Sequence, residues 1–301
     1  MYRTRFAPSP TGLLHVGHAF SVLQLVQWRQ KNDAEWLLRI EDIDTTRCRP
    51  QLMRQILKDI AWLGVRWQGD VRVQSEHLSD YHQALKQLRD ADLIYPCFCT
   101  RKKIQTEVMQ MGLAPHAEDM ADIYPGLCRH LSAKEQHERM QHEPFAWRLD
   151  VEKAWQSVSQ PLTWSDQGRD VVVSPDMMGD VVIGRKDIGV SYHLAVVVDD
   201  ALQGITHVIR GDDLRSSTPI HRLLQALLGL PSPIYQHHAL LCDRDGVRLA
   251  KRHQSICLKS LHEEGLSGDA LGRYLLQSGG VWPFVASDSV HDIVKQLGSF
   301  V

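Results

Sequence analysis

The sequence predicts an α/β fold, a parallel sheet wrapped by helices and split by an inserted region of different character. Three observations predict it. Over residues 1–95, short apolar strands alternate with amphipathic helices, the pattern of a parallel sheet. From Pro96 to about Lys186 that rhythm breaks into a stretch with cysteines, a Met/Gly/Pro-bearing segment and scattered short strands. The alternation then resumes and gives way to a helical tail from about Ser267. The expected organisation is a first half-sheet over 1–95, an insertion over 96–185, a second half-sheet over 186–240 and a C-terminal region over 241–301.

Each element has its own signal. Residues 2–7 read as a buried strand, and residues 18–30 as a helix with Phe20, Leu23 and Val26 turned inward. Residues 36–40 (Trp-Leu-Leu-Arg-Ile) form a second apolar strand that ends in an acidic cluster, Glu41-Asp42-Ile43-Asp44. Pro50 suits the first position of a helix carrying Met53, Ile56, Leu57, Ile60 and Leu63 at helical spacing, stopped by Gly64. Ser79 is expected to cap the next helix, which runs towards Asp92. Residues 171–173 read as a short strand within the insertion, and residues 181–183, 193–198 and 205–209 as the returning strands. Thr218-Pro219 opens a helix through Leu228, and Asp245-Gly246 marks a hairpin turn.

Bulk composition narrows the function classes. The chain has 301 residues, 43% hydrophobic and 23% charged, enough for a large core and more than one domain. Its net charge of −2 neither demands nor excludes nucleic acid, which needs only a local basic surface. No apolar run approaches the roughly 20 residues that span a bilayer, so no membrane association is expected. The N-terminus leads into a Pro-rich turn instead of an apolar secretory segment, which points to the cytoplasm. Six cysteines without an export signal read as reduced thiols or metal ligands. A monomer is the expected state.

The chemistry is concentrated at the start, Arg5-Phe-Ala-Pro8-Ser9-Pro-Thr-Gly12-Leu-Leu-His15-Val-Gly17-His18. A strand runs into a broken turn, and two histidines frame a glycine where a helix begins. A helix N-terminus offers unpaired N–H groups and a positive dipole end to phosphate. Gly17 has no Cβ, so a base or ribose can lie against the backbone. His15 and His18 can donate to phosphate oxygens as charge develops. Alone, His-x-Gly-His is weak and fits two solvated histidines equally well. Late in the chain, Arg244, Arg248, Lys251 and Arg252 surround a Gly-containing turn. Such a loop can neutralise triphosphate charge, although a charge run is more often a solvated hairpin.

Together these motifs resemble the glutamyl-tRNA synthetase family. Arg5-Phe-Ala-Pro-Ser-Pro-Thr-Gly with His15-Val-Gly-His18 is similar to its "HIGH" opening, and Arg248-Leu-Ala-Lys251-Arg252 to a degenerate "KMSKS" loop. Arg39-Ile-Glu41-Asp-Ile-Asp44, Tyr192-His193-Leu-Ala and Val208-Ile-Arg210-Gly-Asp212-Asp213 resemble further family motifs, in family order, over residues 3–257. The resemblance implies a Rossmann-type sheet, split by a zinc-bearing α+β insertion and followed by a small helical C-terminal domain. It also implies ATP bound with Mg2+ at Pro8, His15, Gly17, His18 and Lys251, with His15, His18 and Lys251 catalytic. L-glutamate would be held by Arg5, Ser9, Glu41, Tyr192 and Arg210. Guanidinium forks plus one carboxylate suit a substrate with two carboxylates and one ammonium. Arg39 and Asp44 are expected to brace the sheet edge.

Departures refine the assignment. Val196 stands where many family members have asparagine, and Ala250 and Arg252 where they often have serine. A missing neutral hydrogen bond at Val196 would cost about 1 kcal/mol of glutamate affinity. Only 50 residues follow Lys251, too few for the family's anticodon-reading region. The short body with a cysteine-bearing insertion resembles the glutamyl-queuosine tRNA(Asp) synthetase family. That resemblance implies tRNA-independent formation of glutamyl-adenylate and transfer of glutamate to queuosine in the anticodon loop of tRNA(Asp). Spacing alone makes Cys97-Phe-Cys99 and Cys128 a moderate metal signal, with Tyr124, His116 and His130 open as the fourth ligand. The resemblance favours structural zinc on Cys97, Cys99, Tyr124 and Cys128. Cys48, Cys242 and Cys257 read as packing residues. Arg101-Lys102-Lys103 is a candidate tRNA contact or a solvated helix start. Rival readings are a compact synthetase charging the tRNA 3′ end, a non-catalytic tRNA- or protein-binding relative, and a pantothenate-synthetase-like nucleotidyltransferase.

Overall fold

A computed structural model describes residues 1–100, 102–104, 106, 124–159, 161–249, 256–284 and 288–298. In chain order the first elements are β1 (Arg3–Phe6), α1 (Val16–Asn32), β2 (Glu35–Ile40), α2 (Pro50–Trp62), β3 (Arg72–Val73) and α3 (Leu78–Asp90). Then come β4 (Ile94–Cys97), α4 (Ala133–Met140), β5 (Ala146–Leu149), α5 (Val151–Ser157), β6 (Thr163–Asp166), β7 (Arg169–Val172) and β8 (Val182–Gly184). The last are α6 (Tyr192–Leu202), β9 (His207–Gly211), α7 (Thr218–Leu227), β10 (Ile234–His238), α8 (Leu258–Glu263), α9 (Gly268–Gln277) and α10 (Val290–Gly298). They form two compact units. One comprises Met1–Ser75, Ile205–Arg215 and Pro233–Val301, the other Glu76–Gly204 and Ser216–Ser232.

The first unit is built on parallel strands. β1 pairs with β2, β2 with β3, and β9 with β10, all in parallel. The Thr206 N–H donates to the Arg3 carbonyl at 2.9 Å, which brings the start of β9 alongside β1. The lateral order is therefore β3-β2-β1-β9-β10. Strands buried on both faces read as continuous apolar runs, which is why residues 36–40 carry no alternation. Pro50 begins α2, and Gly64, at φ 73°, ends it in the left-handed conformation that favours glycine.

The three helices after residue 256 belong to this unit. Leu258 and Leu261 of α8, Leu271 and Leu275 of α9, and Ile293 and Leu297 of α10 share one core with Val16, Leu23, Trp36 and Ile56. The expected separate C-terminal domain is thus a layer over the sheet unit, because its apolar stripes find their partners there. Ser267 caps α9 by accepting from the Ala270 N–H, where the sequence placed the start of the tail.

The second unit is mixed. β4, β5 and β8 form an antiparallel sheet, and β6–β7 a hairpin with Gln167 (φ 52°) and Gly168 (φ 79°) at its two-residue turn. Tyr81 of α3 donates to the Asp199 carboxylate of α6 at 2.9 Å, both side chains being buried. Three sequence expectations are corrected here. Residues 193–198 lie in helix α6, and 181–183 feed β8, an antiparallel strand and not a parallel one. Leu194 through Asp200 are all buried, so the run has no periodicity to separate helix from strand. Ser79 falls inside α3, because a 3-10 turn over Gln74–His77 leads straight into the helix.

A Cβ on Gly268 would lie 1.9 Å from the Trp62 carbonyl oxygen, whereas one on Gly272 would meet only Leu23 Cδ2 at 3.7 Å. Gly268→Ala should therefore lower stability by about 1–3 kcal/mol through forced overpacking. Gly272→Ala should be neutral or add up to about 1 kcal/mol of helix propensity. Urea midpoints of the two variants check both.

Candidate functional site

The first turn of α1 is held by its own histidines. His15 is the N-cap in extended conformation, and its Nδ1 accepts from the Gly17 N–H at 3.1 Å. His18 Nδ1 accepts from the His15 N–H at 3.1 Å, which closes a reciprocal capping box. The two rings lie 3.9 Å apart. An Nδ1 that accepts carries no proton, so each neutral imidazole keeps its hydrogen on Nε2. The fold therefore fixes one tautomer for both, with donors on the side away from the helix backbone. A Cβ on Gly17 would stand 2.9 Å from His15 Cε1. That glycine is required by the folded-back imidazole, whatever binds there.

The turn is tied to chain segments on both sides. The Pro8 carbonyl accepts from the Glu41 N–H at 3.0 Å, which joins the ends of β1 and β2, while Ser9 stays exposed. Leu258 N–H donates to the Leu14 carbonyl at 2.8 Å, and His15 bridges Cys257 in antiparallel fashion. Ala250, Lys251 and Arg252 lie outside the described residues, as does Arg101. Arg248 pairs with Asp213 at 2.6 Å. The expected turn at Asp245-Gly246 is present: Asp243 accepts from the Asp245 and Val247 N–H groups, and Gly246 has φ 77°.

Three charged side chains at the carboxyl ends of these strands are buried: Arg5 (5% exposed), Glu41 (7%) and Arg210 (5%). A buried charge is tolerated only with partners. Glu41 Oε1 takes the Arg39 guanidinium at 3.1 Å, and Arg39 itself is inaccessible. Arg210 donates through Nε to His237 Nε2 at 3.1 Å and through Nη2 to the Leu214 carbonyl at 3.0 Å, with its guanidinium 5.1 Å from the Tyr235 ring. Asp44 accepts from Thr46 and from Arg47, both within 2.8 Å. Sequence reading missed His237. Its signal was the parallel register, which sets His237 directly opposite Arg210.

In the second unit Tyr192 opens α6, its ring edge-on to His193 at 5.4 Å and to His221 at 5.6 Å. His193 Nδ1 and His221 Nε2 are 3.1 Å apart, a pair that the sequence did not reveal. Val196 is a buried member of the same helix.

The cysteine cluster is also in this unit. Cys97, Cys99, Cys128 and Tyr124 are each at most 9% exposed, and the three sulfurs lie within 4.8 Å of one another. Cys99 and Cys128 Sγ are 3.6 Å apart, and Tyr124 Oη lies 3.4 Å from Cys97 Sγ and 3.6 Å from Cys99 Sγ. Tetrahedral zinc with Zn–S of about 2.3 Å requires S···S of about 3.8 Å and S···O of about 3.5 Å. The donor set fits that geometry. The Cys128 N–H donates to Tyr124 Oη at 2.9 Å, and the Arg148 guanidinium lies 3.8 Å from the Tyr124 ring. Both favour negative charge on that oxygen. The Cys128 hydrogen bond, helped by Tyr124, holds the Cys97 thiol below its ordinary range, while burial pushes the Tyr124 hydroxyl up. A divalent cation reverses the latter effect. Of the rival ligands, His130 is exposed and outside this group, and His116 lies outside the described residues. Lys102 and Lys103 are exposed. The cluster is braced by Asp180, which takes Arg129 at 2.6 Å and the Val151 N–H at 3.1 Å.

Comparison with known proteins gives consistent matches. A family model described as tRNA synthetases class I (E and Q), catalytic domain, covers residues 1–294. The glutamyl-Q tRNA(Asp) synthetase of Rhodobacter capsulatus is 42% identical over 269 residues, 88% of this chain and 96% of that protein. That of Nocardia farcinica is 40% identical, over 93% of this chain and 85% of its own. A glutamate–tRNA ligase of Aquifex aeolicus is 36% identical over 91% of this chain but only 56% of its own length. A crystallised glutamate tRNA ligase from Elizabethkingia meningosepticum, in complex with its amino acid, superposes with a TM-score of 0.68 at 27% identity. It covers 83% of this chain, which spans about half (52%) of that one.

The capping geometry is directly testable. His15→Ala removes the N-cap acceptor, and Gly17→Ala displaces the same ring. Each should lower the urea midpoint by the equivalent of about 1 kcal/mol. Unchanged midpoints in both variants would show that the histidines do not hold the helix.

Proposed function

The chain belongs to the class I tRNA synthetases with an E and Q type catalytic domain, and on that premise we propose that it activates L-glutamate with ATP and transfers the glutamyl group to the queuosine base of tRNA(Asp). The observation that carries this reading is 42% identity extending over 96% of a glutamyl-Q tRNA(Asp) synthetase.

ATP enters as its magnesium complex, with its phosphates at the start of α1. The glutamate α-carboxylate attacks the α-phosphorus in line. A new O–P bond forms as the bond to the bridging oxygen breaks, and pyrophosphate leaves. No protein nucleophile is involved, so positioning and electrostatics carry the step. His15 and His18 present Nε2–H donors, because their Nδ1 atoms are committed to the cap. Pro8 and Gly17 line the nucleotide, and Lys251 neutralises the developing charge. Arg5, Ser9, Glu41, Tyr192 and Arg210 bind glutamate. Glu41 holds the ammonium while retaining its Arg39 partner, and Arg5 and Arg210 take carboxylate. A hydroxyl of the queuosine cyclopentenediol then attacks the adenylate carbonyl, loses its proton and expels AMP. Cys97, Cys99, Cys128 and Tyr124 would hold a structural zinc, whose binding free energy would add to the stability of the fold around them. The protein acts as a cytoplasmic monomer, and the inserted region with Lys102 and Lys103 contacts the tRNA.

Labelled glutamate should enter tRNA(Asp) that carries queuosine and not the unmodified tRNA, and ATP–pyrophosphate exchange should proceed without tRNA. Equal labelling of both tRNAs would replace this reading with 3′-end charging. Metal analysis should find about one zinc per chain, lost in Cys97→Ser. Chelation should lower Tm, since removal of a structural ion withdraws folding free energy.

A further inference from the structure

Helix α2 presents one sign of charge to its surface. From Thr45 to Gln68 the chain carries five basic residues, Arg47, Arg49, Arg54, Lys58 and Arg66, all exposed, against one acid, Asp59. Asp59 is 1% exposed and accepts from Gln55 Nε2 at 2.7 Å, so it does not offset the exposed charge. The acids around this segment are engaged or lie beyond it. Asp44 takes Arg47, Asp42 accepts from the Ser75 hydroxyl, and Asp70 stands in the loop before β3. Glu263 of α8, which packs against α2, takes Lys259. On helices α4, α8 and α9 the cations are matched one turn away: Lys134 with Glu138, Arg139 with Glu143, Lys259 with Glu263 and Arg273 with Asp269. On α2 the residues one turn apart are Arg54 and Lys58, and neither has an acidic partner among the described residues. Like charges at that spacing repel and weaken a helix. An anion laid along both relieves the repulsion.

The strip has a defined origin. The Arg49 N–H donates to the Pro10 carbonyl at 3.1 Å, which fixes the start of α2 against the turn that leads into α1. Arg49 Nη1 donates to the Cys48 carbonyl at 2.9 Å, a bond that orients the guanidinium without neutralising it. At about 1.5 Å of rise per residue, Arg54 and Lys58 follow along the axis about 6 Å apart. A polyanion with repeated charges matches this row by charge and by length. We propose that Arg49, Arg54 and Lys58 form a track for the phosphodiester backbone of tRNA, running from the turn before α1 along α2. Contacts to phosphate position an RNA without reading its sequence. The inference rests on the tRNA-dependent reading above and adds a surface of the first unit to the inserted region named there.

Fluorescence anisotropy with labelled tRNA(Asp), with and without queuosine, tests it on the full chain over a range of salt. Arg54→Glu should weaken binding about tenfold at low salt and make the slope of log Kd against log salt shallower by about 1–2, the weight of one or two phosphate contacts. Both tRNA forms should lose equally, and Arg54→Lys should bind as wild type does. The introduced carboxylate stands one turn before Lys58, a stabilising order, so Tm should hold or rise. Pyrophosphate exchange with glutamate, measured without tRNA, should be unchanged. Unaltered affinity and salt slope in an Arg54→Glu/Lys58→Gln variant overturn the proposal. So does a loss of the same size at every salt concentration. Vesicles of phosphatidylserine and phosphatidylcholine are the second probe. If Arg54→Glu releases the protein from them and not from tRNA, the strip serves a membrane and the proposal falls. Salt-dependent loss in Arg54→Glu, with neither tRNA accepting glutamate, would reject the acceptor assignment and not the track. Transfer to the queuosine-bearing tRNA with an affinity indifferent to Arg54 would reject the track alone.

Discussion

Parallel pairing is the constraint on which the first unit depends. Strands that run the same way release the chain at the same edge, so Pro8 after β1, Glu41 after β2, Gly211 in β9 and His238 in β10 are gathered there. In the order β3-β2-β1-β9-β10, the chain moves outward from β1 on one side and returns to β9 on the other. The crevice of such a sheet opens between the two strands where direction reverses. Helix α1 starts beside that point, with the N–H groups of its first turn already paired: Val16 with the Ile256 carbonyl, Gly17 with His15 Nδ1, and His18 with the His15 carbonyl.

Burial and polarity are reconciled at that edge by short local pairs. Arg39 neutralises Glu41, His237 and the Leu214 carbonyl occupy Arg210, and the two histidines of α1 cap their own helix. Each pair orients the side chain it satisfies. An electrostatic site works best when its dipoles are fixed before substrate arrives, because no reorganisation is then needed during reaction. The tautomers of His15 and His18 are one example, set by hydrogen bonds to backbone and not by a neighbouring acid.

The second unit solves a different problem. Its antiparallel sheet of β4, β5 and β8 is small, and the apolar cluster around Tyr95, Phe98 and Tyr124 is correspondingly modest. Three buried thiols and a phenol lie beside it at mutual distances suited to one cation. Asp180 and Arg148 hold the surrounding loops by charged hydrogen bonds, with Arg148 donating to the Asp180 carbonyl.

The sequence by itself determined the elements whose signals are local. Pro50 and Gly64 bound α2, Ser267 caps α9, and Asp245-Gly246 makes a turn, because each depends on backbone chemistry within a few residues. Spacing put forward the Cys97–Cys99–Cys128 set and the His15–Gly17–His18 turn as candidates, whereas Glu41 and Arg210 came forward only through resemblance to family motifs. Only the tertiary structure decided that residues 193–198 are helix, that 181–183 pair antiparallel, and that the last three helices complete the first core. Only it revealed that His237 meets Arg210 and that His193 meets His221. The physical reason is the range of the determining contact. A cap or a turn is satisfied by its neighbours in sequence, whereas strand direction, burial on all sides and the partner of a buried charge are set by residues that only folding brings near.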